Sequence, residues 1–128
     1  MSAPEETTVL IADDDLEILA IVRNVVRAKG FTVLEATDGD EAMARVVESR
    51  PDLVILDVMM PGQSGWEVCR SIRESDALKA TKVIMLTGIG EQMNSMTSPL
   101  YGADAHLDKP FDIDDLSSVV TKVLSGQE

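Results

Sequence analysis

"DLVILDVMMPGQSG", residues 52–65, decides the fold. Leu53 to Leu56 are apolar without interruption, one aspartate follows at Asp57, and the chain turns on Pro61 and Gly62. A short unbroken apolar run bounded by turn residues reads as a strand buried on both faces, the kind found in parallel sheets covered by helices. A carboxylate at the end of such a strand either starts the turn or is mounted there for its chemistry.

Working outward, "TTVLIA" (residues 7–12), "FTVLEA" (31–36) and "KVIMLT" (82–87) are further short β-branched runs, and "DAHLDKP" (104–110) holds a fifth, shorter strand. Between them, apolar residues recur at helical spacing. One helix is predicted from roughly Leu16 to Lys29, stopping at Gly30; a second runs from about Gly39 to Ser49 and is closed by Pro51. A third spans about Gly65 to Glu74, and a last one about Asp112 to Leu124, with Asp112 as its N-cap. "GEQMNSMTSPLYG" (90–102) should be the fourth helix, short or weakly held because it carries Asn, Ser, Thr and Pro99; Met93, Met96 and Leu100 still fall on one helical stripe. The order is (βα)5, an α/β chain with a doubly wound parallel five-stranded sheet, right-handed crossovers and helices on both faces.

With 128 residues and 45% hydrophobic content the chain makes one domain. The domain is expected over residues 8–125, between a disordered tail at 1–7 and a short tail at 126–128. Such short tails favour a chain that acts alone. Eleven basic against 23 acidic residues give a net charge of -12, which repels nucleic acid and anionic membrane surfaces. No apolar run is long enough to span a bilayer and "MSAPEETT" is too acidic for a secretory signal, so a cytoplasmic protein is expected. The single cysteine, Cys69, has no internal disulfide partner and is expected as a buried, inert thiol.

In a sheet of this type ligands collect beyond the carboxyl ends of the strands. That edge receives Asp13, Asp14 and Asp15 after strand one, Asp57 after strand three, Thr87 after strand four and Lys109 after strand five. Each has an ordinary alternative. Asp14 and Glu17 form a D-x-x-E capping pattern, Thr87 suits any strand end, and Lys109 precedes Pro110, which asks only for extended backbone or a cis bond. Together they suit one chemistry. Clustered carboxylates are tolerable around a shared cation, and oxygen-only ligands suit Mg²⁺ or Mn²⁺. Phosphoryl transfer to a carboxylate needs a nucleophile (Asp57), metal holders (Asp13, Asp14), a point charge (Lys109), a hydroxyl donor (Thr87) and a glycine (Gly88) that lets phosphate approach the backbone.

"VLIADDD", "PDLVILDVMMPGQSGWEV", "VIMLTG" and "GADAHLDKPF" occur in the order and spacing of a known family. Over nearly its whole length the chain resembles the response-regulator receiver domains of bacterial two-component signalling, including the stand-alone chemotaxis type, whose fold is flavodoxin-like. The resemblance implies that Asp57 accepts a phosphoryl group from a sensor histidine kinase or phosphotransfer protein. It implies Mg²⁺ held by Asp14, Asp57 and the Met59 carbonyl, with Asp13 acting largely through water, and Thr87 and Lys109 in the roles above. Such a domain assists its own phosphorylation and slow dephosphorylation without being an enzyme in the turnover sense. In the family's switch the threonine swings toward the phosphate while an aromatic three residues before the lysine turns inward, reshaping the face made by the fourth helix, fifth strand and last helix.

Here that aromatic position holds His106, a departure from the usual tyrosine or phenylalanine. The expected partner surface centres on His106, Met96 and Pro99, and the chain is expected as a monomer or a phosphorylation-dependent dimer. Met59 and Ile89, the positions flanking the phosphate, carry no acid or amide to orient water, so slow hydrolysis is expected. Three rivals remain. A haloacid-dehalogenase-type phosphatase is disfavoured by Glu17 in "DDDLE" and by the chain's length, and a flavodoxin by three aspartates in its first loop. A non-phosphorylated, receiver-like binding module would usually lack an acid, the threonine or the lysine, and all are present.

Overall fold

A computed structural model describes residues 7–88 and 102–126. Within them the chain runs β1 (Thr8–Ala12), α1 (Leu16–Ala28), β2 (Thr32–Ala36), α2 (Gly39–Ser49), β3 (Leu53–Asp57), α3 (Gly65–Glu74), β4 (Lys82–Thr87), β5 (Ala105–Asp108) and α4 (Ile113–Ser125). The expected fourth helix, with Met93, Met96, Pro99 and Leu100, lies outside the described residues, as does Ile89. The last predicted helix is therefore α4 here.

The five strands form one sheet in the order β2-β1-β3-β4-β5, and every pair is parallel. Because successive residues of a strand face opposite ways, an unbroken apolar strand feeds two cores. Leu10, Val54, Leu56, Val83 and Met85 pack against α2 and α3 with Val46, Val68 and Ile72. Val9, Ile11, Ile55, Ile84 and Leu86 pack against α1 and α4 with Val22, Val26, Leu116 and Val120. Cys69 is buried in the first of these cores, and burial pushes its thiol up to about 11, which leaves it inert at neutral pH.

Three of the four described helix starts are capped by side-chain hydrogen bonds. Asp38 accepts from the Glu41 N–H, and Ser64 with Glu67 closes a reciprocal capping box. At α1 the cap is Asp15, which accepts from the Glu17 N–H, so the capping alternative for Asp14 does not hold. Asp112 occupies the N-cap position of α4 as expected but makes no side-chain cap hydrogen bond. Gly30, directly after the α1 C-cap Lys29, has a φ of 89°, a left-handed conformation that favours glycine.

Arg73, in the last turn of α3, ties down the far end of the sheet. Its guanidinium donates to the carbonyls of Lys79, Thr81 and Gly102 and pairs with Asp104 at 2.8 Å, while Asp104 also accepts from the Val83 N–H. These bonds fix the entry to β5 against the entry to β4.

At the other end, the chain winds to one side of β1 through β2 and to the opposite side through β3, β4 and β5. The reversal leaves a crevice beyond the ends of β1 and β3. Gly65 opens α3 directly below it, and a Cβ there would run into the backbone carbonyl of Asp57 and meet Met85 Cε at 2.8 Å. Gly65→Ala should therefore lower stability by about 1–3 kcal/mol, measured by urea unfolding. A neutral result would mean that the Asp57 backbone is not held against α3.

Candidate functional site

Asp57 and Thr87 are the last residues of β3 and β4, paired in register with Leu86 and Asp108, and so sit inside the strands instead of just after them as the apolar periodicity suggested. The backbone ladder runs one residue further than the apolar run. Asp13 follows β1 directly, and Lys109 follows β5, joined to Pro110 by a cis peptide bond. Asp13, Asp57 and Thr87 are the buried polar residues of the described core, at 0, 5 and 1% exposure. Rigid buried strands thus hold three polar groups at one edge.

Lys109 brings two of them together. Its Nζ donates to Asp13 Oδ2 at 2.9 Å and to Asp57 Oδ1 at 3.0 Å. Asp13 Oδ1 accepts from the Asp15 N–H at 2.8 Å, so both oxygens of Asp13 are engaged. Carboxylate oxygens of Asp13, Asp14 and Asp57 all lie within 4.8 Å of one another, with Asp14 exposed at the mouth. Three carboxylates against one ammonium leave an excess of negative charge that a divalent cation would offset. The donor set is oxygen only, which suits Mg²⁺ and not zinc.

Burial is the main force acting on Asp57, and together with the neighbouring Asp13 carboxylate it raises the Asp57 pKa from 3.8 to about 6, against the opposing hydrogen bond and charge of Lys109. For Lys109 burial acts downward, but the hydrogen bonds and charges of Asp13 and Asp57 outweigh it and raise its pKa. It therefore stays an ammonium at neutral pH.

The remaining predicted residues surround this cluster. Met59 lies two residues past Asp57 and is 63% exposed, and Gly88 follows β4 directly, half-buried. His106 is exposed on β5, one side of an open polar cleft of about 380 Å³ that Asp108, Phe111, Asp112 and Asp115 also line. Met96 and Pro99 lie outside the described residues. A separate, mostly apolar groove of about 160 Å³ lies at the opposite end of β5, by Lys82, Ala105 and Val119, away from the carboxylates. One partner escaped the sequence reading. Thr87 Oγ1 donates to Asp108 Oδ1 at 2.6 Å, a contact that depends on the register of β4 with β5.

The family model of the response regulator receiver domain matches residues 9–121. The chain belongs to this family. Among curated relatives, the transcriptional regulatory protein ResD of Bacillus subtilis is 42% identical over 111 residues, covering 87% of this chain and 45% of that protein. The phosphate regulon regulator PhoB of Pseudomonas aeruginosa is 35% identical over 117 residues, covering 91% of this chain and 51% of that protein. The receiver chain thus spans about half the length of the curated relatives it matches. Among solved structures, the chemotaxis response regulator CheY4 of Vibrio cholerae matches with a TM-score of 0.84 at 32% identity, covering 91% of this chain and 98% of that one. The REC domain of AraT from Geobacillus stearothermophilus matches at 0.85 and 31%, covering 94% of each. Membership supports a phosphoacceptor role in signalling and bears out the doubly wound, flavodoxin-like fold. Among the described residues no helix is long and apolar enough to cross a membrane.

The raised Asp57 pKa has a stability consequence. Because the folded value lies above the unfolded one, the contribution of Asp57 is fully present below about pH 4 and is lost as the pH rises through about 6. In metal-free receiver, Asp57→Asn should therefore gain about 1–2 kcal/mol over the wild type at pH 7.5, and the gain should vanish near pH 4. Urea midpoints measured in chelator across this range check it, and a gain independent of pH would count against the raised pKa.

Proposed function

We propose that this receiver takes a phosphoryl group onto Asp57 from a phosphohistidine of a sensor histidine kinase or phosphotransfer protein, with Mg²⁺, or Mn²⁺ in its place, and so switches a surface that controls a protein partner. The observation that carries this reading is the Lys109 ammonium bound at once to Asp13 and Asp57, with Asp14 in the same cluster at the sheet's reversal point. An Asp57 oxygen forms the new O–P bond as the P–N bond of the donor breaks and the imidazole leaves with the electron pair. Asp57 must be ionised for this, which Lys109 favours and burial opposes.

Lys109 then turns its charge on the phosphoryl oxygens, Thr87 donates its hydroxyl to one of them, and Gly88 leaves room beside the backbone. Asp14, Asp57 and the Met59 carbonyl would hold the metal ion, with Asp13 reaching it largely through water. The engagement of both Asp13 oxygens by Lys109 and the Asp15 N–H supports that indirect role. When bound, the cation offsets charge on the phosphoryl oxygens.

The partner surface is read as the face that carries His106, together with Met96 and Pro99, and its occupant is a protein, since a chain of net charge -12 repels nucleic acid and anionic membranes. The protein works in the cytoplasm, as a monomer or as a dimer formed on phosphorylation. Regulators such as ResD and PhoB are about twice as long.

Intact mass after incubation with acetyl phosphate tests the reading. Wild type should gain one phosphoryl group in Mg²⁺ and none in chelator, and Asp57→Asn should gain none. Absence of any gain with Mg²⁺, Mn²⁺ or a panel of phosphorylated histidine donors would overturn it. Phosphoryl lifetime gives a second prediction. Met59→Asn with Ile89→Glu should shorten the half-life at least severalfold by supplying groups that orient water; an equal or longer half-life in the variant would show that these positions do not set it.

A further inference from the structure

Thr87 has a single hydroxyl proton to give, and in this structure Asp108 receives it. The O···O distance of 2.6 Å is that of a charge-assisted bond to a carboxylate. Thr87 is 1% exposed, so its hydroxyl has little water to turn to, while Asp108 is exposed and meets solvent on its other side. The strand order also fixes its direction. β4, which carries Thr87, lies between β3 with Asp57 on one side and β5 with Asp108 on the other. A hydroxyl committed to Asp108 points across the sheet away from the strand that carries Asp57.

We propose that Asp108 is a positioning residue that latches the Thr87 hydroxyl, so that accepting the phosphoryl group requires exchanging the Asp108 bond for one to a phosphoryl oxygen. This rests on the phosphoacceptor reading above and adds to it a residue that opposes the reaction. The exchange moves no covalent bond; one hydroxyl proton changes acceptor. Its far end is the polar cleft. Once released, the Asp108 carboxylate loses its donor beside Asp112 and Asp115 and on the same cleft as His106. Occupancy of Asp57 is thereby reported on β5 without any movement of the β3 backbone.

Asp108 also carries a negative charge close to the site, and charge alone would slow the approach of a phosphoryl donor. A cycle through Thr87 separates the two effects. The rate of phosphoryl gain from acetyl phosphate with Mg²⁺, followed by intact mass, is compared in the full chain for wild type, Asp108→Ala, Asp108→Asn, Thr87→Val and the Thr87→Val, Asp108→Ala pair. The latch predicts that Asp108→Ala is about three- to tenfold faster than wild type. Asp108→Asn, which keeps an acceptor oxygen without the charge, should fall between them. In the Thr87→Val background, Asp108→Ala should change nothing. An equal acceleration with and without the hydroxyl would assign the effect to charge and overturn the latch, as would phosphorylation at the wild-type rate in Asp108→Ala. If wild type itself gains no phosphoryl group from any donor or metal, the phosphoacceptor reading fails and the latch with it; phosphorylation with an unchanged cycle removes the latch alone.

Discussion

Two carboxylates buried side by side at the edge of an apolar sheet are held there by one ammonium. Asp13 and Asp57 come from strands that lie next to each other in space, and neither has water enough around it to carry its charge unaided. Lys109 reaches them from the end of β5, two strands beyond β3, and completes a bridge between parts of the chain up to 96 residues apart in sequence. The rest of the architecture follows from keeping that bridge in place. Buried strands fix where the acids stand, the tight approach of Gly65 seats α3 under Asp57, and Asp15 caps α1 so that Asp14 remains at the mouth of the cluster. A buried ion pair of this kind is poor evidence of net stability. Here its charges are left incompletely balanced, and that imbalance is what a cation and a phosphoryl group can use.

Much of this was legible from one-dimensional patterns. β1, β3 and β4 each carry an unbroken apolar run of four residues, which suits a sheet covered on both faces. α2 and α3 have the predicted bounds because glycine, serine and proline mark their ends. β5 was less legible: its four residues alternate in burial at the sheet's edge, and "DAHLDKP" marks only a short strand without an apolar run. The end of β3 was placed one residue short, because backbone pairing does not stop where apolar side chains do, whereas "KVIMLT" has the bounds of β4.

The site itself was legible as a set of residues and not as a set of contacts. That Asp13, Asp57, Thr87 and Lys109 share an edge follows from strand order, but which oxygen Lys109 meets depends on three-dimensional placement. Asp14 and Asp15 are equivalent in the sequence; only the helix start tells them apart. The bond from Thr87 to Asp108 is the clearest case. It joins residues 21 apart through the register of two strands, and a change of that register would send the hydroxyl elsewhere.

The grip of Arg73 gives β5 a mechanical character. At its entry the strand is moored, through Gly102 and Asp104, to a guanidinium that also holds the turn before β4. Among the described strands it is hydrogen-bonded to one neighbour only, and at its exit Lys109 and Asp108 are both occupied with the chemistry of the crevice. β4 pairs with every residue of β5, so the two ends differ in what their side chains hold and not in backbone support. A change at the carboxylates therefore acts on the last residues of β5, beside the start of α4, and not on the entry that Arg73 moors.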